Sequence, residues 1–346
     1  PNQDISLQIR NLLLRFCVIR NAEKFEGACL VVTSVWLEGK ITNILLSKIR
    51  DIKTAQELER QLLQGALSGL EVPVCSLTEK PYEVWLERFK FQLTWLDRDD
   101  YVRALVRALW LAPKFAATDF GGARQRDFAQ VWTDTARGFL GEIALQKFLR
   151  EKLNTEVALD ARRGELREFL PSDIRVKDQA SGNFRPTKLG LSIKTTKFNG
   201  RWLDLPGAQF DHSDAFVLVK IGISRMHFSA FLKEISFLKD KLFAEAMRLG
   251  ELSDNQAEEL WKETPNFTQI PAYVAGFIEK REISLPIHQI GYRVKGKKNG
   301  RIIISHGVGL FSLSNVRAHP DIKKIDPSSA LPIQVEPIIK SLTEDK

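Results

Sequence analysis

The segment that most restricts the possible folds of this chain is 127–153, DFAQVWTDTARGFLGEIALQKFLREKL, because its apolar residues recur at helical spacing. Its large apolar residues predict one buried helix face: Phe139, Ile143, Leu145, Phe148 and Leu149. Gly138 and Gly141 leave room for another backbone to approach. Short strand-like runs follow as EVALDA, SDIRVKD, LGLSIKTT and DAFVLVKIGI. This order predicts an α/β (α+β) fold with a mixed central sheet flanked by helices.

The rest of the chain predicts two further regions around this core, which itself spans 121–240. Region 1–120 has two expected strands, ACLVVTSVWL and ITNILLSKI, then a helix starting at Thr54 with Glu57 completing a capping box. Amphipathic helices are expected over 82–96 and 98–112, ending at Pro113. Region 241–346 is expected to be an α+β extension, in which HQIGYRV and RIIISH form a hairpin with a basic tip, KGKKNG.

Composition limits the cellular setting. No stretch approaches eighteen uncharged apolar residues, so no transmembrane helix is predicted. The opening residues lack the basic, apolar, small order of a secretory signal. Cys17, Cys29 and Cys75 have no paired spacing, which predicts reduced thiols in a cytoplasmic protein and argues against a zinc site or disulfide framework.

The net charge of +8 is compatible with a polyanionic partner, and its distribution is uneven. Two segments are rich in Lys and Arg and poor in acids. The first contains Arg185, Lys188, Lys194, Lys197 and Arg201, with Asp204 as the single acid. The second contains Arg293, Lys295, Lys297, Lys298 and Arg301. These segments predict contacts with nucleic-acid phosphates, although solvated surface loops would have the same composition.

The position of Lys194 inside the apolar run LGLSIKTT requires a partner, because a buried charge is costly unless it is paired. Asp173, about twenty residues upstream, and Glu142 on the preceding helix are candidates. Two carboxylates could hold Mg²⁺ together with phosphate and water. A lysine beside them could orient the attacking water and stabilise developing negative charge. The three side chains therefore predict a site for phosphodiester hydrolysis.

These residues resemble a known family. A helical glutamate in GFLGE, then Pro-x-Asp, then an apolar strand that ends in a lysine, is similar to the PD-(D/E)XK nuclease superfamily, whose largest group is the type II restriction endonucleases. The resemblance covers about 138–221. It implies a restriction-endonuclease-like core, a Mg²⁺ cofactor, and cleavage of double-stranded DNA to 5′-phosphate and 3′-hydroxyl ends. It also implies a homodimer, since cutting both strands of a palindrome requires two active sites.

By position, the resemblance makes Asp173 the central metal ligand, Lys194 the motif lysine and Glu142 the helical acid. Ser192 departs from the pattern, because the family usually has Asp or Glu two residues before the lysine. Glu142 is the first candidate to replace that acid, and Asp204 and Asp214 are the others. Residues expected to contact DNA are Arg185, Lys188, Lys197, Arg201, Trp202, Arg293, Lys295, Lys297, Lys298 and Arg301.

Alternatives remain open from sequence. Asp173 could be a turn residue, Lys194 an edge-strand lysine and Glu142 an ordinary helix-surface residue. A structure-specific repair or recombination nuclease would have the same core, and a non-catalytic DNA-binding protein with a decayed core would explain Ser192. Other chemistries have less support, since the histidines form no metal-binding pair and neither a P-loop nor a Gly-x-Ser-x-Gly elbow occurs.

Overall fold

The fold is described here from a computed structural model. The structure describes residues 37–64, 80–116, 127–159, 172–177, 181–187, 190–200, 203–206, 213–280, 292–298 and 301–306. For residues 80–82, 84, 114–116, 203–206, 277–279, 292–298 and 301–306 it describes the backbone alone. Residues 28–36 of the first expected strand and the chain after residue 306 lie outside the described residues.

Along the described chain, a run of consecutive strands lies between two groups of helices. The helices are α1 (Lys40–Leu45), α2 (Ile52–Gln64), α3 (Lys80–Gln92), α4 (Arg98–Ala116), α5 (Phe128–Leu153), α6 (His227–Glu234), a π-helical segment (Leu238–Phe243), α7 (Ala244–Arg248) and α8 (Asp254–Glu263). The strands are β1 (Leu93–Leu96), β2 (Val157–Leu159), β3 (Ile174–Lys177), β4 (Phe184–Pro186), β5 (Leu191–Lys197), β6 (Leu203–Pro206), β7 (Ala215–Ile221), β8 (Ile270–Glu279), β9 (Tyr292–Lys298) and β10 (Arg301–His306).

The central sheet has four strands in the order β1-β8-β7-β5. Strands β5 and β7 run parallel, and the other neighbours are antiparallel. Two small antiparallel sheets accompany it, with the orders β2-β3-β4 and β6-β10-β9. The chain is therefore a mixed α+β protein, as the order of its sequence patterns predicts.

The central sheet brings together strands from all three predicted regions. Strand β1 comes from region 1–120, β5 and β7 from region 121–240, and β8 from region 241–346. One hydrophobic cluster likewise contains Leu96, Ile143 and Val274. The division into three regions remains a prediction, and the central sheet contains strands from all three of them. None of the described helices is long and apolar enough to cross a membrane.

Helix α5 covers one face of the central sheet. Its ends are well defined, because the Asp127 side chain accepts a hydrogen bond from the Gln130 amide and Asn154 ends the helix in a left-handed conformation. Its buried side chains include Leu140, Ile143, Ala144, Leu145, Phe148 and Leu149. They pack against Leu191, Ile193, Val217, Val219, Ile221 and Val274 of the sheet in one cluster. The predicted helix 127–153 is thus confirmed.

A neighbouring element does approach closely at Gly141, but through a side chain and not through the predicted backbone, and the contact at Gly138 is of a different kind. A β-carbon at Gly141 would collide with the Thr195 side chain on β5, whereas one at Gly138 would meet nothing within 4 Å. The Gly138 carbonyl instead accepts a hydrogen bond from the Thr195 hydroxyl, at 3.2 Å. This bond fixes Thr195 against α5, and a β-branched side chain has few rotamers with which to move away.

Alanine should therefore have opposite effects at these two glycines. Gly141→Ala should lower the free energy of unfolding by about 1–3 kcal/mol, because the new methyl group overpacks the contact with Thr195. Gly138→Ala should raise it by about 0.5–1 kcal/mol, because alanine is the better helix former and the space is open. Urea denaturation of both variants measures the two values. Equal stabilisation by both substitutions would contradict the packing of α5 on β5.

Helix α3 lies against the opposite face of the sheet. Trp85 and Phe89 stack with their ring centroids 5.1 Å apart, and Phe89 meets Tyr273 of β8 edge-on at 5.1 Å. All three side chains are almost fully buried. Lys220 of β7, paired in register with Tyr273, is also fully buried. The sheet is therefore covered by helices on both sides, which agrees with the predicted architecture.

His227 begins α6 inside an aromatic cluster, with Tyr101 at 5.0 Å and Phe267 at 4.9 Å between ring centroids. Within the described chain its Nε2 atom is buried and makes no hydrogen bond. Burial lowers the pKa of His227 from 6.5 to about 4. The folded protein therefore holds this imidazole neutral over a range in which the unfolded chain protonates it.

The free energy of unfolding should consequently fall as the pH drops from 6.5 to about 4. In this window the unfolded state binds a proton that the folded state does not, so His227 alone contributes a loss of up to about 3 kcal/mol. His227→Phe keeps an aromatic ring and removes the proton, so its stability should vary less over the same range. Denaturant unfolding at several pH values compares the two proteins. Parallel curves for wild type and variant would show that His227 is not held neutral.

Two sequence predictions near the start of the described chain are wrong. Residues 41–49 were expected as a strand, and they contain α1 instead. The buried Glu59 carboxylate of α2 accepts hydrogen bonds from the amides of Ile41 and Thr42 and from the Thr42 hydroxyl. This tertiary contact satisfies the first amides of the helix, which no neighbouring residue caps. The cap of α2 is also different, because Asp51 accepts hydrogen bonds from both the amide and the hydroxyl of Thr54.

The middle of the chain needs three further corrections. The expected helix 82–96 ends at Gln92, and β1 follows as an edge strand of the central sheet. Helix α4 continues through Pro113 to Ala116. No strand was predicted for 270–279, yet β8 lies there between β1 and β7. This strand contains Pro271 and Gly276, and it was not predicted because both residue types ordinarily weaken a strand pattern. The strands predicted as EVALDA, SDIRVKD, LGLSIKTT, DAFVLVKIGI and RIIISH are confirmed within the described residues as β2, β3, β5, β7 and β10. The strand predicted as HQIGYRV is found as β9, but β9 runs to Lys298 and therefore includes three lysines that were expected in the KGKKNG turn.

Candidate functional site

Asp173 is fixed against β5 by two hydrogen bonds. It immediately precedes β3, and its amide donates to the Leu191 carbonyl at 2.8 Å. Its Oδ2 atom accepts a hydrogen bond from the Ile193 amide at 2.6 Å. Ile174 and Ile193 are buried in the same hydrophobic cluster, which keeps the two segments side by side. The structure thus brings the half-buried Asp173 carboxylate next to the residue that precedes Lys194.

Ser192 and Lys194 lie on one face of β5, because alternate residues of a strand point the same way. Leu191 and Ile193 pack toward α5, so Ser192 and Lys194 are on the opposite face. In the parallel pair, Ser192 is in register with Phe216 and Lys194 with Leu218, both of which are buried. Lys194 is half-buried on this apolar surface. Such surroundings strengthen electrostatic interactions of its ammonium group.

Ser192 occupies the position at which the PD-(D/E)XK pattern has an acid. Its side chain is buried, with 2% of its surface exposed, and within the described residues its hydroxyl makes no hydrogen bond. A buried hydroxyl without a partner is uncommon, because such groups lose their bonds to water without compensation. The hydroxyl therefore offers an oxygen atom on the same face as Lys194.

Glu142 is on a different side of the strand. It follows Gly141 on α5, which covers the face of β5 opposite to Lys194. The negative charge of Glu142 interacts with Arg107 of α4. Burial lowers the pKa of Arg107, and the charge of Glu142 acts to raise it. The Arg107 guanidinium also lies 5.9 Å from the centre of the Phe139 ring, on the same side of α5. The predicted role of Glu142 as a metal ligand stays a prediction.

The other two candidate acids are placed as follows. Asp214 is exposed and accepts a hydrogen bond from the Gly190 amide at 2.7 Å, while its own amide donates to the Gly190 carbonyl. It thus joins the starts of β5 and β7, about 13 Å along β5 from Lys194 at roughly 3.3 Å per residue. Asp204 belongs to β6, where its backbone pairs with Ile303. Asp214 is thus bonded to Gly190, next to Leu191, whose carbonyl accepts the hydrogen bond of the Asp173 amide.

The oxygen atoms of this site suit a metal ion that is bound by only one or two protein side chains and otherwise by water or phosphate. In the described part of the chain, no group of three His, Cys, Asp or Glu side chains could hold a metal. Mg²⁺ commonly binds through one or two carboxylates and keeps several waters or phosphate oxygens. The Asp173 carboxylate and the buried Ser192 hydroxyl without a partner fit that arrangement. They do not fit a cage made entirely of protein ligands.

The residues expected to contact DNA are only partly described. Arg185 is half-buried on β4, and Lys197 is exposed at the end of β5. Arg293, Lys295, Lys297 and Lys298 form part of β9, and Lys298 pairs with Arg301 at the start of β10. This pairing confirms the predicted antiparallel hairpin. Lys188, Arg201 and Trp202 lie outside the described residues.

Sequence reasoning missed a cleft at the far end of β5. Its volume is about 610 Å³, and its basic lining residues are Arg60, Arg137, Lys197 and Arg225. These residues come from α2, α5, β5 and the segment after β7. Only Lys197 was among the predicted binding residues. No local signal could have found the set, because it forms only when four separate elements meet.

No known protein family, curated protein or solved structure matches this chain. Function must therefore be inferred from the side chains themselves and from the resemblance of 138–221 to the PD-(D/E)XK pattern.

Proposed function

We propose that this protein is a Mg²⁺-dependent DNA endonuclease of the PD-(D/E)XK type, most simply a type II restriction enzyme. The observation that carries the proposal is the pair of hydrogen bonds that ties Asp173 to Leu191 and Ile193. It brings the aspartate of the pattern beside the strand that carries the lysine of the pattern. An aspartate that was merely a turn residue would bond within its own segment.

Each side chain has a role in the proposed reaction. Asp173 would hold the ion, the Ser192 hydroxyl could supply a further oxygen, and Glu142 would be the second acid of the proposal. The bound Mg²⁺ would neutralise phosphate charge and make a water more acidic. Lys194 orients the attacking water and stabilises the negative charge that develops on the phosphate. The buried Phe216 and Leu218 beside Lys194 exclude water, so this charge interaction is stronger than at an open surface.

DNA would be held by the basic segments on either side of this site. Lys197, Arg185 and the β9–β10 hairpin are proposed to contact phosphates, which positions the duplex without reading its sequence. Base-edge contacts would supply recognition. A homodimer would supply the second active site. The unpaired cysteine spacing leads us to propose a cytoplasmic location.

Plasmid cleavage tests the proposal. Purified protein should convert supercoiled plasmid into discrete fragments with Mg²⁺, and it should leave the plasmid intact with EDTA. Products should carry 5′-phosphate ends. Cleavage of branched or damaged duplexes with no discrete plasmid fragments would instead identify a structure-specific nuclease. Metal-independent cleavage would contradict the proposed chemistry.

One observation favours a second candidate, a non-catalytic DNA-binding protein. Ser192 replaces the usual acid, and the described residues contain no group of three metal-ligating side chains. Such a protein would bind DNA with an affinity that falls steeply with salt. It would cut no substrate with or without Mg²⁺. The plasmid experiment, together with a binding titration in EDTA, therefore separates the two candidates.

A further inference from the structure

The basic cleft lies at the carboxyl ends of the parallel strands β5 and β7. Lys197 is the last residue of β5, and Ile223, Ser224 and Arg225 follow β7. Helix α2 and the first half of α5 form its walls. Ligands of α/β sheets characteristically bind outside the carboxyl ends of parallel strands. The cleft volume of about 610 Å³ is in the range of small-molecule sites.

The charges of the cleft are strongly unequal. Arg60, Arg137, Lys197 and Arg225 line it together with a single acid, Glu57. The Glu57 Oε1 atom is already engaged, because it accepts hydrogen bonds from the Gln61 side chain at 3.0 Å and from the Arg225 amide at 2.9 Å. Among the described residues, no carboxylate forms an ion pair with the side chains of Arg60, Lys197 or Arg225. The cleft therefore has an excess of positive charge that an anion would neutralise.

Arg137 and Lys197 both line the cleft, and each feels the charge of the other. The Arg137 guanidinium bonds Asp134 through Nη1 at 3.1 Å, while its Nε is buried and makes no hydrogen bond within the described chain. The positive charge of Arg137, together with burial, lowers the pKa of Lys197, and Asp134 partly opposes this. Two cations in one cleft repel each other, and an anion bound between them would remove this repulsion. A phosphate oxygen would accept hydrogen bonds from both.

The floor of the cleft is apolar, which narrows the class of ligand. Tyr101 and Leu140 are buried beneath it, and Phe228 is half-buried at its side. Burial raises the pKa of Tyr101 to about 12, so its hydroxyl stays neutral and can donate to a ligand. Thr133 and Ser224 add hydroxyl groups to the lining. A phosphate attached to a sugar and a base would use both the charged rim and the apolar floor.

We propose that this cleft binds a phosphate group of a nucleotide, within a nucleic-acid strand or free, with Arg137 and Lys197 as its direct contacts. Lys194 and Lys197 are three residues apart on β5, so the cleft is about 10 Å along the strand from the candidate active site at roughly 3.3 Å per residue. The odd separation puts the two lysines on opposite faces of β5. Phosphate binding in the cleft does not depend on DNA cleavage.

Binding measured in EDTA tests the inference without any reaction. A fluorescein-labelled, short single-stranded deoxyoligonucleotide is titrated with protein and followed by anisotropy, and ATP and adenosine are used as competitors. The variant Arg137→Gln/Lys197→Gln should weaken binding at least about tenfold, because two charge-assisted hydrogen bonds are lost. Its slope of log affinity against log salt should be smaller by about 0.7, the value for the loss of one phosphate contact on a single strand.

Matched variants separate the cleft from general charge effects. Lys241→Gln/Lys262→Gln makes the same charge change at exposed positions away from the cleft, and it should bind like wild type. Lys197→Arg keeps the charge and should retain binding. Competition by ATP supports a free-nucleotide source, and binding of the oligonucleotide without competition by ATP supports a nucleic-acid strand. Wild-type affinity in the double cleft variant, an equal loss in the control, or competition by adenosine as strong as by ATP would overturn the inference.

Discussion

Lys194→Ala should reduce Mg²⁺-dependent DNA cleavage by about a hundredfold to a thousandfold, the usual cost of removing one group that stabilises transition-state charge. Lys194 is half-buried beside Leu218, on the face of β5 that also carries Ser192. Because water cannot fully replace the ammonium group on this apolar surface, the developing charge would lose the stabilisation that Lys194 supplies in addition to the metal. Initial rates on plasmid DNA at saturating Mg²⁺ measure the effect.

The control for this prediction is Lys177→Ala on the neighbouring β3. Lys177 is exposed and paired with Glu156, so its loss should leave the cleavage rate within about twofold, as surface ion pairs contribute little. Asp173→Asn should abolish cleavage as well, while the new amide oxygen can still accept the Ile193 hydrogen bond and preserve the fold. Full cleavage by Lys194→Ala, in a protein whose thermal unfolding is unchanged, would refute the active-site assignment.

Phe89→Ala should lower the free energy of unfolding by about 3–5 kcal/mol. Phe89 is fully buried between Trp85 and Tyr273, with both ring centroids 5.1 Å away. Its removal would leave a cavity between α3 and β8 that neighbouring rings cannot fill without leaving their rotamers. Urea denaturation monitored by tryptophan fluorescence and by circular dichroism gives the value and tests whether the transition is two-state.

Phe91→Ala on the same helix provides the comparison. Phe91 is 38% exposed, although it touches the Phe148 ring at 6.1 Å between centroids. Its loss should cost less than about 2 kcal/mol, because much of its surface is already in water. If the two variants were equally stable, α3 would not be packed on the sheet as described.

Capping residues and the spacing of apolar residues predicted those helices and strands that are stabilised mainly by residues close together in sequence. Helix α5 has a capping aspartate at 127, a left-handed asparagine at 154 and a continuous apolar face between them. Strands β5 and β7 are bounded apolar runs, and the proximity of Asp173 to the lysine strand follows from their order. These features could be predicted because each depends on neighbours within a few residues or on one strand pairing.

Elements that depend on distant partners could not be predicted. Helix α1 begins where the Glu59 carboxylate accepts hydrogen bonds from the amides of Ile41 and Thr42, which are eighteen and seventeen residues away from it in sequence. Strand β8 contains Pro271 and Gly276, and it is a strand because β1 and β7 pair with it on both sides. The basic cleft combines Arg60, Arg137 and Arg225 from separate elements. In each case the structure is decided by tertiary contacts, and the residues that make these contacts are too far apart in sequence for a local pattern to predict them.

The central place of β8 has a consequence for how this protein is made. Strand β1 emerges from the ribosome long before β8, yet it pairs with β8 and with no other strand of the described chain. Until residue 279 has been translated, β1 and β7 each keep an open edge. A nascent or prematurely terminated polypeptide would therefore be more prone to aggregation, whereas in the finished chain β8 pairs with both strands and the outer strands of the described sheet are β1 and β5.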